Sequence, residues 1–458
     1  MRLEEIKKIY FIGIGGIGMS ALARYFNSRS IEVFGYDKTE TTLTKKLVSE
    51  GMKIHYDDDI AQIPEGVDLV VYTPAIPKSH SELNFFWDHN FPVKKRSEVL
   101  GMISRSRKAI GVAGTHGKTS TSSILTWLLK VGGVDCTAFL GGIAQNFGSN
   151  YIHGKSEWVV IEADEYDRSF WQLNPDISII LSMDEDHLDI YGDKATMHQG
   201  FYEYANKTKD GGFVFVKDGL RMPFSKVGIT YGQFGIESGS YRAEKVRVEN
   251  GHFVFDFKSS IENVDNIVFT LPGKHNVENA TAAIAVAQQL GVKGAAIKKA
   301  LASFKGIKRR FERIFSNEKV VYIDDYAHHP SELKVAIEAA KMLFPNKTIT
   351  GIFQPHLFSR TRDFVDGFAE ELDKLDEVIL MDIYPARELP IPGVTSEIIF
   401  EKMNIPNKVL VTKATLMDEL KSRNVEVLLT LGAGDIDTFV KPIKYLIENG
   451  KLKMENSY

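Results

Sequence analysis

Two short glycine-rich stretches each follow an apolar run and have the make-up needed to hold phosphate groups. In one, Gly114, Thr115, His116, Gly117, Lys118, Thr119 and Ser120 stand between the strand-like run Ala109 to Ala113 and a helical run with Ile124, Leu125, Leu128 and Leu129 along one side. Strand, loop and helix in that order form the setting of a phosphate loop. Backbone N–H groups cradle the phosphates, a lysine neutralises them and a hydroxyl ligates Mg²⁺. Lys118 and Thr119 fit those roles, although Val112 stands where the general pattern has its first glycine. The other stretch, Gly13-Ile-Gly15-Gly16-Ile-Gly18, follows the apolar Ile9 to Ile12, and Asp37 ends the next strand-like run, Glu32 to Tyr36. That spacing predicts a diphosphate at a helix N-terminus with an acid near a ribose. NAD satisfies it, and so does the diphosphate of a UDP-sugar. The plainer alternative is glycines that only allow tight packing.

Acidic and histidine-bearing stretches follow further strand-like runs. Glu162 ends Trp158 to Ile161 within Glu162-Ala-Asp164-Glu165-Tyr-Asp167. An acid at the mouth of a strand beside a phosphate loop suits Mg²⁺, but the sequence does not choose among these four acids. His187, in Asp184-Glu-Asp-His187-Leu-Asp189, is a metal ligand, a base or a helix cap. Lys274-His275-Asn276, Arg309-Arg310, Asp324-Asp325-Tyr326-Ala-His328-His329-Pro330 and Gln354-Pro-His356-Leu-Phe-Ser-Arg360-Thr-Arg362 complete the set. Neighbouring histidines invite zinc; a single cysteine and no second carboxylate–histidine set weigh against it. Arg360 and Arg362 either clamp a carboxylate or line a solvated face.

The elements that must position these residues alternate between strands and helices, which predicts α/β sheets that are largely parallel. Residues 1–107 form a first Rossmann-like block with strands at Ile9 to Ile12, Glu32 to Tyr36 and Leu69 to Tyr72. Residues 108–307 form a central block, in which 212–270 read as added antiparallel strands around an Asn250-Gly251 hairpin. A helix after Asn276 carries Ala280, Ala283, Ile284, Ala287 and Leu290 on one face and stops at Gly291. Residues 308–458 form a third α/β block, with strands at Val320 to Ile323, Thr348 to Phe353, Val378 to Met381 and Val427 to Leu431, and a helix at Pro330 to Leu343. A chain of 458 residues fits two to four domains at about 100–200 residues each. A net charge of −4 gives no global pull toward nucleic acid or an acidic membrane, so anionic ligands must be held locally. No apolar run reaches the ~18 residues of a membrane helix. Glycines break the apolar stretch Tyr10 to Ala23, which does not read as a signal peptide. Cys136 alone forms no intrachain disulfide and fits a reducing compartment.

Taken in order, the stretches resemble the Mur ligase family over nearly the whole chain. The resemblance rests on Phe11 to Ser20, Gly114 to Thr119, Glu162 to Glu165, Asp186-His-Leu-Asp-Ile-Tyr191, Asp324 to Pro330, Phe353 to His356 and Ser359 to Arg362. It lies nearest the members that join L-alanine to UDP-N-acetylmuramate at the start of the peptidoglycan peptide. A recycling ligase that attaches a tripeptide to the same sugar is the alternative, and Asn174 to Gly192 favours the alanine-adding members.

The resemblance implies three domains: UDP-binding, ATP-binding and amino-acid-binding. It places Gly15, Gly16 and Gly18 near the diphosphate and Asp37 and Thr73 near the nucleotide. It implies that Gly114 to Ser120 hold ATP, with His275, Asn276 and Asn279 near the adenine, Arg310 on the phosphates and Asp325 on the ribose. Thr119, Glu162 and His187 would hold Mg²⁺ or Mn²⁺, and Lys118, Glu162, His187 and Arg310 would carry the catalysis. Tyr326, His328, His356 and Arg360 would surround the amino acid. Leu357 departs from relatives that have an arginine there, so that role is not carried over. The implied protein is cytoplasmic, a monomer or homodimer, with no nucleic acid or membrane partner.

Overall fold

The computed structural model describes residues 2–184, 191, 193–223, 226, 228–249, 251–386 and 388–450. Among them the strands form three sheets. The first holds β1 (Lys8–Ile12), β2 (Glu32–Tyr36), β3 (Lys53–His55), β4 (Leu69–Tyr72) and β5 (Val93–Lys95), in the order β3-β2-β1-β4-β5 and parallel throughout. Ile9, Tyr10, Phe11 and Ile12 are all fully buried, as a parallel strand covered on both faces requires. Helices α1 (Ile17–Asn27), α2 (Thr42–Ser49) and α3 (Ser81–Asp88) join strands of this sheet, and α4 (Arg96–Ser106) leads from β5 out of it. The order reverses between β1 and β4, so the loops after those two strands part and leave a crevice.

The second sheet has β6 (Lys108–Ala113), β7 (Thr137–Ala144), β8 (Ser149–Ile152), β9 (Trp158–Glu162), β10 (Ile177–Ile180), β11 (Phe213–Lys217), β12 (Thr230–Ile236), β13 (Tyr241–Glu249), β14 (His252–Lys258) and β15 (Val264–Phe269). Its order is β15-β14-β13-β12-β11-β10-β6-β9-β7-β8. The expectation of antiparallel strands throughout 212–270 needs correction. β11, β12 and β13 continue the sheet in parallel, and only the β13–β14 and β14–β15 pairings in that region are antiparallel. The expected hairpin joins β13 to β14, with Gly251 at φ +74°; Asn250 lies outside the described residues.

Helix α5 (Lys118–Val131) follows β6, α6 (Lys194–Asn206) precedes β11, and α7 (Lys274–Gln289) follows β15. Helix α7 is not buried on one face only. Ala282, Ala285 and Val286 are as buried as Ala280, Ala283, Ile284 and Ala287, because α7 lies between α5 and the strands β12 and β13. A run of alanines allows that close approach on all sides. Gly291, at φ +83°, ends the segment as expected.

The third sheet holds β16 (Glu312–Ser316), β17 (Val321–Asp325), β18 (Ile349–Phe353), β19 (Glu377–Met381), β20 (Lys408–Val411) and β21 (Val427–Leu431), in the order β16-β17-β21-β18-β19-β20. Only β16 runs antiparallel to its neighbour. Helix α8 (Pro330–Leu343) buries Leu333, Ala336, Ile337 and Ala340 on one stripe, whose last member, Leu343, is half-buried at the helix end, and Pro330 stands in the first turn.

The chain divides into two compact units, residues 1–270 with 274–305, and residues 306–458 with 271–273. The first unit contains the first two sheets, which meet where α1 lies on β7 and β8. Tyr25 packs 5.4 Å from Phe139 and edge-on to Tyr151. Asn150 of β8 is fully buried there and donates to Ser20 Oγ at 2.9 Å and to the Ile17 carbonyl, while accepting from Arg24. Arg24 is in turn paired with Glu50 at 2.7 Å. Cys136 is buried, and burial pushes its thiol up to about 12. No described helix is long and apolar enough to cross a membrane.

Asn150→Ala removes these hydrogen bonds and leaves the Arg24 guanidinium and Ser20 hydroxyl short of a partner in a dry joint. The expected cost is about 1–3 kcal/mol. Urea denaturation checks it: the midpoint falls with little change in slope, whereas an unchanged midpoint removes the joint as a source of stability.

Candidate active site

The second sheet reverses order around β6, with β9 on one side and β10 on the other. The loops after these three strands converge. The glycine loop after β6 has Gly114 at φ +144° and Gly117 at φ +83°. A Cβ on Gly117 would lie 2.6 Å from Asn279 Oδ1, so helix α7 presses directly against the loop. Helix α5 begins at Lys118, and its cap, Gly117, supplies no side-chain acceptor. The start of a fourteen-residue helix therefore presents N–H groups and the positive end of its dipole, which suits an anion. Thr115 Oγ1 lies 2.9 Å from Ser182 Oγ after β10, and His116 is 3.8 Å from Asp184. Ser120 is half-buried in the first helical turn.

Three of the four acids that the sequence left equivalent are separated by the fold. Glu162, at the end of β9, accepts from Thr119 Oγ1 at 2.9 Å and from the Gly141 N–H at 2.8 Å. Glu165, 1% exposed, pairs with Lys118 at 2.7 Å. Asp164 turns toward Arg96 of α4, 3.2 Å away. The side chain of Asp167 lies outside the described residues.

Lys118 also donates to the Gly114 carbonyl at 2.7 Å. Burial pulls the Lys118 ammonium down, but the Glu165 and Asp164 carboxylates outweigh it and hold the lysine above its usual value. Burial raises the Glu162 carboxyl, and Lys118, Thr119 and the Gly141 N–H offset only part of that rise. A half-buried carboxylate beside a threonine hydroxyl, next to an uncapped helix start, is a donor set that fits Mg²⁺ shared with a phosphate. His187, the remaining expected metal residue, lies outside the described residues. Asn276 and Asn279 are buried in α7, 3.4 Å apart, whereas His275 is exposed in its first turn.

In the first sheet, the loops after β1 and β4 face each other. A Cβ on Gly13, at φ +84°, would lie 3.2 Å from both Thr73 and Ile76. Asp37 accepts from the Gly15 N–H at 2.7 Å and from the Thr39 N–H at 3.2 Å, so it holds the glycine loop itself. A Cβ on Gly18 would meet Arg96 Nη1 at 2.7 Å, and Gly16 is exposed.

In the second unit, loops after β17, β18 and β19 bring a row of rings together. Tyr326 packs edge-on to His328 at 5.1 Å, His328 lies 5.9 Å from His356, and His356 stacks on Tyr384 at 5.8 Å. Arg360, in helix α9 (Phe358–Asp363), approaches His356 Nδ1 at 3.4 Å. Arg362 instead pairs with Asp363 in solvent, so the two arginines do not form a clamp. The neighbouring histidines also diverge. His328 faces the rings while His329 caps α8, and no cluster of three potential metal ligands occurs among the described residues.

Arg309 is bound to buried Asp324 at 3.2 Å, which leaves Arg310, 41% exposed, beside Glu332 at 3.6 Å. Asp325 accepts from the Phe311 and Ala327 N–H groups, and burial pushes its carboxyl up to about 6. Burial would raise the Glu332 carboxyl, but His328 at 3.1 Å and Arg310 outweigh it and hold the group far below the usual range. Leu357 adopts φ +72°, pinned by its N–H to the Tyr384 carbonyl at 3.0 Å. Sequence reasoning did not single out Arg96, Ser182, Glu332 or Tyr384: Ser182 and Glu332 lie just beyond the ends of the histidine-bearing stretches, and Arg96 and Tyr384 lie in stretches with no such signal.

Family models match three successive stretches: "Mur ligase family, catalytic domain" at 8–108, "Mur ligase middle domain" at 112–287 and "Mur ligase, glutamate ligase domain" at 309–434. Proteins named UDP-N-acetylmuramate–L-alanine ligase are similar along their length. That of Cytophaga hutchinsonii is 49% identical, covering 98% of each chain. That of Flavobacterium johnsoniae is 48% identical, covering 98% of this chain and 99% of the relative. The crystal structure of the UDP-N-acetylmuramate–alanine ligase of Thermotoga maritima superposes with a TM-score of 0.84 at 29% identity, over 97% of this chain and 99% of that one. A murein peptide ligase of Psychrobacter arcticus, 22% identical over 97% and 99% of the two chains, shares the fold with a TM-score of 0.69.

A carboxyl whose folded-state value is depressed stabilises the fold above its unfolded value of 4.5, and the contribution is lost as pH falls toward the folded value. Glu332→Gln is therefore expected to destabilise the protein most at neutral pH, with the gap to wild type narrowing progressively below about pH 4.5. Thermal melts across that range measure it; a gap independent of pH would assign the loss to packing.

Proposed function

This chain belongs to the Mur ligase family, and from that premise we propose that it joins L-alanine to the carboxylate of UDP-N-acetylmuramate, using ATP. The observation that carries the proposal is its 46–49% identity, over 96–98% of its length, to ligases of that name. A carboxylate does not react with an amine in water at neutral pH until its oxygen becomes a leaving group. In the proposed reaction that oxygen takes the terminal phosphoryl group of ATP, and ADP departs. The alanine amine then bonds to the acyl carbon, the carbon–oxygen bond to phosphate breaks, and the amine gives up a proton.

The first unit is assigned both nucleotide sites. Gly15, Gly16, Gly18, Asp37 and Thr73 bind the UDP-sugar, with Asp37 also bracing the loop. Gly114 to Ser120, Asn276, Asn279 and His275 bind ATP, and Lys118 sets its ammonium against the phosphates. Thr119, Glu162 and His187 would hold Mg²⁺ or Mn²⁺. The bound ion supplies charge neutralisation at the transferring phosphoryl group. The second unit is assigned alanine, through Tyr326, His328, His356 and Arg360, with Arg310 and Asp325 as ATP contacts. Excluding water from the reacting atoms protects the activated acyl group from hydrolysis. A cytoplasmic monomer or homodimer completes the proposal, and sedimentation distinguishes the two.

Phosphate release is the direct test, with ATP, UDP-N-acetylmuramate and a panel of single amino acids. Release should require the UDP-sugar and be greatest with L-alanine. Release only with the alanyl-glutamyl-diaminopimelate tripeptide moves the reading to the recycling ligase, and release independent of both sinks it. Lys118→Ala should abolish turnover with the circular dichroism spectrum retained. Arg360→Ala should raise KM for alanine at least about tenfold while KM for ATP changes little, matching the loss of one charge-assisted contact; equal effects on all substrates would indicate a structural role.

A further inference from the structure

Arg96 opens helix α4 directly after Lys94 and Lys95, and its side chain does not turn to solvent. The guanidinium lies along the first turn of α1, so close that a Cβ on Gly18 would reach Nη1 at 2.7 Å. Its other arm, Nη2, is 3.2 Å from Asp164 Oδ2, in the acidic loop that also carries Glu162 and Glu165. Arg96 thus spans the two glycine-loop neighbourhoods of the first unit. Its placement is electrostatically unusual. The N-terminus of a helix is its positive end, and the cap of α1, Gly16, supplies no side-chain acceptor. A cation laid against that end is unfavourable unless an anion accompanies it. Asp164, with its side chain 36% exposed, is the anion that accompanies it here.

We propose that Arg96 positions the UDP-sugar, exchanging Asp164 for the diphosphate as the substrate reaches the loop Gly15–Gly18. This rests on the UDP-sugar reading of that loop. A planar fork of N–H donors suits two phosphate oxygens better than one half-exposed carboxylate. The loop N–H groups and the guanidinium then grip the diphosphate from two sides, and Asp164 is the competitor it displaces. Small side chains at position 18 follow from the same geometry, because a Cβ there would occupy the place of the guanidinium.

Isothermal titration of UDP and of UDP-N-acetylmuramate into full-length wild type, Arg96→Ala, Arg96→Lys and Asp164→Asn tests the assignment, beside KM for each substrate. Arg96→Ala should weaken both UDP ligands at least about tenfold, with KM for ATP and alanine altered far less. Arg96→Lys, which keeps the charge without the fork, should recover part of the loss. Asp164→Asn should bind both ligands more tightly than wild type, an effect that damage to the fold would not produce. Wild-type affinity in Arg96→Ala overturns the role of Arg96 alone. Unchanged or weaker affinity in Asp164→Asn overturns the exchange. A wild type that binds neither ligand overturns this proposal together with the UDP-sugar reading beneath it.

Discussion

A lysine ammonium cannot be taken out of water without a carboxylate to meet it, and the core of the first unit is arranged around that constraint. Lys118 is 14% exposed and Glu165 1%, and removing either would strand the other in a dry site. Lys118 opens α5 at the far end of the loop after β6, and Glu165 stands three residues beyond the end of β9. Their meeting therefore depends on the parallel register that sets Val112 opposite Glu162. The same register delivers Glu162 to Thr119, and the β7 strand beside it supplies the Gly141 N–H. Sheet order, the positive φ angles of the loop glycines and the contact of α7 at Gly117 all serve to hold this charged centre in place.

The second unit solves a different problem. The side chains proposed to bind alanine there are held by one another rather than by a sheet edge alone. His328 is fixed by Glu332, four residues on in the first turn of α8, and Tyr326 and His356 flank its ring. The backbone of Leu357 is pinned to Tyr384, and Ser359 is held through Glu388. Three loops thus lock together without a metal ligand set among the described residues. The positive φ of Leu357 is local strain of a kind that persists only where such surroundings over-determine the backbone.

Strands buried on both faces, such as β1, β4, β6 and β21, were legible from sequence because continuous apolar runs mark them. The three-residue strands β3 and β5 and the edge strands β16 and β20 escaped, since partly exposed residues leave no such run. Parallel and antiparallel partners of β11 and β12 look alike in sequence, because direction is decided by where the chain re-enters the sheet. The two glycine loops were legible because glycines at fixed spacing constrain the backbone itself. Which acid serves the loop was not, since Glu162, Asp164 and Glu165 share charge and differ only in the path of the turn after β9. Arg96 was hidden for a related reason. In Val93-Lys-Lys-Arg96 it reads as part of a solvated basic run, and only the packing of α4 against the glycine loop sets it apart.

The joint at Asn150 has a further consequence. Because Asn150, Arg24 and Ser20 clamp α1 to the second sheet, the two glycine loops of the first unit are a fixed distance apart. On the proposed assignment a single substrate must bridge them, its diphosphate at one loop and its carboxylate within reach of the other. The joint then works as a ruler. It selects ligands by the span between two charged ends, so a sugar acid one bond too short or too long is rejected by length even where every individual contact is available.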